Sequence, residues 1–167
     1  MAFTTLDDLL LEELQDLYSA ETQLLDALPQ LADAASRSEL EEAFNEHLDE
    51  TREQVDRLEK VFDHLGQSTG NEHCDAMAGL IAEGEKRIQE NGKSDVRDAA
   101  LISAAQRTEH YEIAAYGAAR TYADQLGHSE VRDLLDETLS EEKNADKKLN
   151  KIATGGWLAS GVNQDAA

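Results

Sequence analysis

The sequence predicts an all-α protein, and two observations support that fold class. Apolar residues make up 40% of the 167-residue chain and recur at helical spacing along nearly all of it. Ala, Leu, Glu, Asp, Gln and Arg dominate the composition, and most of these are good helix formers. Only 5% of the residues are aromatic, whereas a β-rich domain needs more aromatic and β-branched residues in alternation.

The charge balance excludes several classes of partner. The chain has 36 acidic and 15 basic residues, a formal net charge of −21. Such a charge repels nucleic acid and anionic lipid, so we expect no nucleic-acid partner and no membrane partner. No apolar run is long enough to span a bilayer, and the first residues lack the basic segment of a secretory signal. The lone Cys74 forms no internal disulfide, which is typical of a cytoplasmic protein.

Four long amphipathic helices and one short helix are predicted along the chain. The first helix begins at the N-cap Thr5, and Ser36 or Ser38 caps the second. Glycines at the predicted C-termini, such as Gly66, end the long helices. A shorter helix is expected at about residues 73–90, inside the long connection between the second and third long helices.

The lengths of the connections predict how the helices are arranged. Short connections make the first and last pairs antiparallel hairpins, and the long middle connection lets the second and third long helices run parallel. We expect a four-helix bundle over residues 1–154 and a loosely ordered tail over residues 155–167, in which Trp157 docks on the bundle.

Acidic residues occur on the apolar face of all four long helices, near mid-length. A single inward Glu can pair with an Arg or reach solvent. Several carboxylates meeting at one level, however, repel one another unless they bind a cation. The predicted metal ligands are Glu21, His47, Glu50, Glu109, Glu112 and Glu142, with Glu141 and Asp146 as alternates on the fourth long helix.

An internal repeat supports this set of residues. At an offset of 91 residues the two hairpins match, with Glu21 on Glu112 and Glu50 on Glu141. The repeat therefore favours Glu141 as the ligand on the fourth helix. Helical projection instead favours Glu142, and we give projection more weight because ligands must face inward.

The residue types indicate which metal is bound. Carboxylate ligands with an imidazole suit iron or manganese better than structural zinc. In helical bundles, a Glu from each of two helices and paired ligands on the other two bind two such ions. We expect two iron or manganese ions as cofactors, and a small oxidant or the metal ion itself as substrate.

Four segments of the chain resemble a known family. They are residues 17–29, 44–59, 97–117 and 136–149, of which EHYEIAAYG and HLDET are the most specific parts. From about residue 4 to 154 the chain resembles the YciF/YciE family of ferritin-like stress proteins. The resemblance implies a ferritin-like bundle, a dimetal site, a dimer and a role in bacterial stress, and it implies no substrate.

The chain departs from the general ferritin pattern in its ligand order. Helix two has His47-x-x-Glu50 instead of Glu-x-x-His, and helix four has no His, so Asp146 is the candidate replacement. Two functions follow: a dimetal protein that handles iron, oxygen or peroxide, or a non-enzymatic interaction or protective bundle without metal. The acidic excess also fits a halophile's copy of either protein.

Apolar residues away from the inward stripes predict self-association. Tyr18, Leu25, Tyr111 and Ile113 lie off the stripe centres of their helices. Leftover apolar surface on a small bundle commonly marks a partner, so we expect a homodimer.

Overall fold

The computed structural model describes residues 4–90, 92–156 and 160–167. Within these ranges the chain is helical, and an isolated bridge between Gly155 and Ser160 is the only β-pairing. The predicted all-α bundle with a crossover helix is confirmed. The helices are α1 (Leu6–Ala34), α2 (Ser38–Leu65), α3 (Asp75–Gln89), α4 (Ser94–Leu126), α5 (Ser129–Thr154) and α6 (Val162–Ala166).

Contacts between α1 and α4 show the topology of the bundle. Asp98, near the start of α4, contacts Ser36 just beyond the end of α1. Tyr116, farther along α4, contacts Glu21 farther back in α1. These two helices are therefore antiparallel. Since α2 turns back from α1, it runs parallel to α4, as the long crossover predicts. Within that crossover, α3 packs on α1 and α4.

The helix ends combine predicted and unpredicted features. Thr5 caps α1 by accepting the Asp8 N–H at 3.0 Å, and the Asp8 carboxylate accepts the Thr5 N–H at 3.0 Å. Gly66 ends α2 with φ +63°, the left-handed conformation that favours glycine. Both ends confirm the sequence prediction.

The predicted serine cap of α2 is wrong. Arg37 occupies the N-cap position and makes no side-chain capping bond. Instead, the buried carboxylate of Asp98 accepts the backbone N–H groups of Ser36 at 2.9 Å and Arg37 at 3.0 Å. A residue of α4 therefore satisfies the turn between α1 and α2, which local sequence cannot reveal.

The hydrophobic core consists of two apolar clusters at opposite ends of the bundle. One includes Leu24, Leu40 and Leu101, and the other includes Leu14 and Phe62. Between them, near the middle of the four long helices, lies a layer of buried polar side chains. The fold therefore places charged groups where water is excluded on both sides.

Beyond the bundle, the short helix α6 packs against α4 and α5. Its Val162 is fully buried, and Asp165 forms an ion pair with Arg37. The predicted docking of Trp157 lies outside the described residues, and the domain boundary at residue 154 stays a prediction. No helix in the described part of the chain is both long enough and apolar enough to cross a membrane.

Candidate metal centre

Five of the predicted ligands meet in the polar layer, and each is at most 5% exposed. One ligand atom from each of four residues lies within 4.8 Å of the others, and the buried Glu21 of α1 interacts electrostatically with Glu142 and His47 of this group. All four long helices contribute. We call this set the carboxylate–histidine cluster: Glu21 of α1, His47 of α2, Glu109 and Glu112 of α4, and Glu142 of α5.

Helical spacing brings these side chains to one level. Glu109 and Glu112 are three residues apart, so they lie on the same face of α4, one turn from each other. His47 Nε2 lies 3.3 Å from Glu109 Oε1 and 3.9 Å from Glu142 Oε2. The imidazole therefore sits among carboxylates from two other helices.

Many polar atoms of the cluster lack hydrogen bonds. Nearly all buried polar atoms in folded proteins are hydrogen-bonded. Within residues 4–90, 92–156 and 160–167, the buried cluster atoms without a partner are Glu21 Oε2, both ring nitrogens of His47, Glu109 Oε2, both carboxyl oxygens of Glu112, and Glu142 Oε2. These buried oxygen and nitrogen atoms are the types of donor that bind a metal ion once they are deprotonated.

The crowding of carboxylates shifts their proton affinities. Burial, together with the charge of Glu142, raises the pKa of Glu21 to about 8. Burial likewise raises the pKa values of Glu109 and Glu112 well above the usual range. Burial lowers the pKa of His47, but the surrounding carboxylates, Glu109 foremost, outweigh it and raise that pKa to about 10. Without a metal, the cluster therefore holds protons.

Two hydrogen-bond donors fix the carboxylates from outside. The Tyr116 hydroxyl donates to Glu21 Oε1 at 2.6 Å. The amide of buried Gln54 donates to Glu142 Oε1 at 2.5 Å. Sequence reasoning missed Gln54, although it follows His47 by seven residues, or two helical turns, and so shares its face.

The other predicted ligands lie at or beyond the edge of the cluster. The Glu50 side chain is 48% exposed, with Oε2 3.6 Å from His47 Nδ1. Asp146 accepts a hydrogen bond from Gln106 and does not enter the cluster. Of the two neighbouring glutamates on α5, Glu142 lies inside.

The carboxylate of Glu141 is held by Arg57 instead. The guanidinium donates to both Glu141 oxygens, at 2.7 and 2.9 Å, and to the Thr138 hydroxyl at 2.7 Å. A bidentate ion pair of this kind is strong and geometrically specific. Sequence reasoning missed Arg57, which lies at the margin of the inward face of α2.

Comparison with known proteins places the chain in a family. Residues 5–167 match the model of a domain of unknown function, DUF892. The chain belongs to the DUF892 family. It is 46% identical to Protein YciF of Escherichia coli K12 over 154 residues, covering 92% of this chain and 93% of that protein. The resemblance predicted from the sequence is confirmed.

Solved structures agree with the fold of this DUF892 chain. The crystal structure of the E. coli stress protein YciF matches 90% of this chain and 95% of its own, with a TM-score of 0.88 and 46% identity. YcfI of Rhodopseudomonas palustris matches 91% of this chain and 99% of its own, with a TM-score of 0.87 and 41% identity.

The donor set fits the metal that a ferritin-like fold implies. Four carboxylates supply hard oxygen donors and one imidazole supplies a nitrogen donor, a combination that iron and manganese accept. When ionised, the four carboxylates carry four negative charges, and two divalent cations balance that charge. The buried His and Glu side chains of this DUF892 chain can therefore hold metal.

Proposed function

We propose that this DUF892 protein is a carboxylate-bridged dimetal protein that binds two iron or manganese ions. We propose that it handles iron, oxygen or peroxide during stress, in the cytoplasm. The observation that carries the proposal is the convergence of unpartnered, buried carboxyl oxygens from three helices, α1, α4 and α5, on one imidazole in the described part of the chain. The stress role is supported by 46% identity to YciF, which is called a stress protein.

Side chains in and around the cluster would hold the metal ions or orient their ligands. Tyr116 and Gln54 each donate to one oxygen of a cluster carboxylate, and the second oxygens, Glu21 Oε2 and Glu142 Oε2, have no hydrogen-bond partner among the described residues. His47 would supply the nitrogen ligand, and Glu112 has both of its oxygens free of hydrogen-bond partners among the described residues. A bound pair of iron or manganese ions would supply electrons to an oxidant by changing between the +2 and +3 states.

Proton release accompanies metal binding at this site. Because metal ligands must be deprotonated, Glu21, with a pKa of about 8, gives up its proton when a cation arrives near neutral pH. His47, with a pKa of about 10, does the same. Protons and metal ions therefore compete for the same atoms, and metal affinity rises with pH.

A second candidate is a protective or interaction bundle that binds no metal. The hydrogen bonds from Tyr116 and Gln54, together with a protonated His47 beside Glu109, favour it because they stabilise the cluster as a polar network. On this reading the raised pKa values keep the carboxyl groups neutral and the core intact.

Metal analysis and melting separate the two candidates. The protein is purified without metal-chelating resin, its iron and manganese are counted, and its melting temperature is measured before and after a chelator. The dimetal proposal expects about two ions per chain and a lower melting temperature after chelation. An unchanged melting temperature, with no iron or manganese taken up on reconstitution, supports the metal-free bundle instead.

A further inference from the structure

A cavity between α2 and α5 extends from the protein surface to the carboxylate–histidine cluster. Its volume is about 90 Å³. His47 and Glu109 form its inner end, and Glu46, Glu50 and Lys148 line its outer end. Apolar side chains of α2 and α5 form the walls between. The cavity thus joins the buried ligands to exposed, charged side chains.

At the inner end of the cavity, His47 is a buried side chain with two ring nitrogens that could bind a ligand. Its side chain is 7% exposed, and neither ring nitrogen has a hydrogen-bond partner among the residues that the structure describes. Glu109 beside it is 2% exposed. A buried imidazole and a buried carboxylate that face a cavity from the surface can coordinate an ion arriving through it.

At the outer end of the cavity, two carboxylates face a single ammonium group. Lys148 of α5 forms an ion pair with Glu46 of α2 across the mouth, so these two charges cancel. Glu50 is the other carboxylate at the mouth, and its Oε2 lies 3.6 Å from His47 Nδ1. A cation at the mouth therefore meets Glu50 first and the buried ligands next.

We propose that this cavity is the entry port through which a divalent cation reaches the cluster, and that Lys148 limits the rate of entry. The proposal rests on the proposed dimetal function. The cavity volume of about 90 Å³ has room for an ion that keeps part of its water. The net charge of −21 attracts cations to the surface, whereas Lys148 weakens that attraction at the mouth of the cavity because it neutralises Glu46.

A neighbouring groove between α2 and α5 is the competing route. It is lined by the basic Arg57 and Lys60, by Leu134, and by the acidic Glu53, Asp56 and Glu137. The Arg57 guanidinium, bound to Glu141, lies between this groove and the cluster. This positive, hydrogen-bonded barrier makes the groove a poor path for a cation, and Lys60 provides a matched control for Lys148.

Stopped-flow mixing of metal-depleted protein with Co²⁺, followed by the visible absorption of bound Co²⁺, tests the port. Lys148→Met removes the opposing charge at the mouth, and we expect uptake about three- to tenfold faster. Glu46→Gln also breaks the ion pair but leaves Lys148 as an unpaired cation, so we expect slower uptake. Lys60→Met removes the same charge at the competing groove and should leave the rate unchanged.

The outcomes separate the port from the dimetal proposal. Opposite rate changes in the two mouth variants, shrinking at high salt, support the port. Three results overturn the port alone, provided that equilibrium Co²⁺ uptake is normal. The first is an equal rate in all variants, and the second is an equal acceleration by Lys148→Met and Lys60→Met. The third is faster uptake in both mouth variants, Lys148→Met and Glu46→Gln. A wild-type chain that takes up no Co²⁺ at equilibrium overturns the dimetal proposal, and the port with it.

Discussion

Glu112 is fully buried, and both of its carboxyl oxygens lack a hydrogen-bond partner in the described ranges. Without metal, its ionised form is opposed by burial and by Glu21 and Glu142. We expect Glu112→Gln to raise the free energy of unfolding of chelator-treated protein by about 1–3 kcal/mol. The same substitution should weaken metal binding, so that added Mn²⁺ stabilises the variant less than the wild type.

Urea unfolding with and without Mn²⁺ measures both effects. Glu53→Gln, an exposed position on α2, is the control and should change neither quantity appreciably. A Glu112→Gln variant that is less stable than wild type without metal, and equally stabilised by Mn²⁺, contradicts the assigned role.

Arg57 determines which of two neighbouring glutamates stays outside the cluster. Its planar guanidinium donates a hydrogen bond to each oxygen of Glu141, a bidentate geometry that lysine cannot reproduce. We expect Arg57→Lys to lower the free energy of unfolding by about 1–2 kcal/mol, measured by urea unfolding. Arg52→Lys serves as control, because Arg52 is 58% exposed and its pair with Asp49 is worth little. Equal losses of unfolding free energy for Arg57→Lys and Arg52→Lys would show that the bidentate pair with Glu141 contributes little to stability.

Helical projection identified the side chains that face inward, because a 100° turn per residue fixes direction within one helix. It favoured Glu142 over Glu141, and the structure places Glu142 in the cluster. It did not reveal that Glu50 lies at the mouth of the cavity and not inside the cluster. A residue about 60° from the centre of a helical face can point either into the core or toward solvent. The Arg57–Glu141 pair depends on how two helices meet, which no single helix encodes.

At the scale of the elements, Asp98 joins the turn between α1 and α2 to the start of α4. It is fully buried and accepts two backbone N–H groups. Asp98→Ala leaves both donors unpaired, so we expect a loss of about 2–3 kcal/mol of unfolding free energy in urea. Asp95→Ala, in the same helix but 37% exposed, should cost less than about 1 kcal/mol. Similar losses for both variants would contradict this role of Asp98.

The helices themselves were predictable from sequence, because apolar periodicity and terminal glycines are local signals. Thr5, Gly66 and the crossover helix all appear where those signals place them. The cap of α2 was not predictable, since Asp98 acts from 61 residues away. Long-range polar contacts of this kind leave no periodic trace in the sequence.

For the whole molecule, the cluster makes stability depend on pH. The pKa of Glu21 rises from 4.5 to about 8 on folding, and that of His47 from 6.5 to about 10. Both groups bind protons more tightly when folded, so their stabilisation is complete at low pH and is lost as pH rises through the folded values. We expect chelator-treated protein to lose unfolding free energy between pH 5.5 and 9.

Urea unfolding in a chelating buffer across this range tests the expectation. Exposed carboxylates are already ionised above about pH 5.5, so their repulsion changes little there. Glu21→Gln should flatten the slope, because its amide does not titrate. A wild-type stability that is constant or rises with pH contradicts the raised proton affinities.

Self-association is the second property of the whole molecule, and the homodimer stays a prediction. Tyr18, Leu25, Tyr111 and Ile113, which motivated it, are partly buried against the two apolar clusters. Among large apolar side chains of the described residues, Val96 is the exposed one, at 47%. Light scattering at high protein concentration and high salt should show a dimer; a monomer under both conditions contradicts the prediction.

The central claim is that one buried cluster binds two metal ions. Anomalous diffraction from crystals soaked in Mn²⁺, with data collected at the manganese absorption edge, tests it most directly. The account predicts two anomalous peaks among Glu21, His47, Glu109, Glu112 and Glu142. A map without anomalous density among these side chains would contradict it.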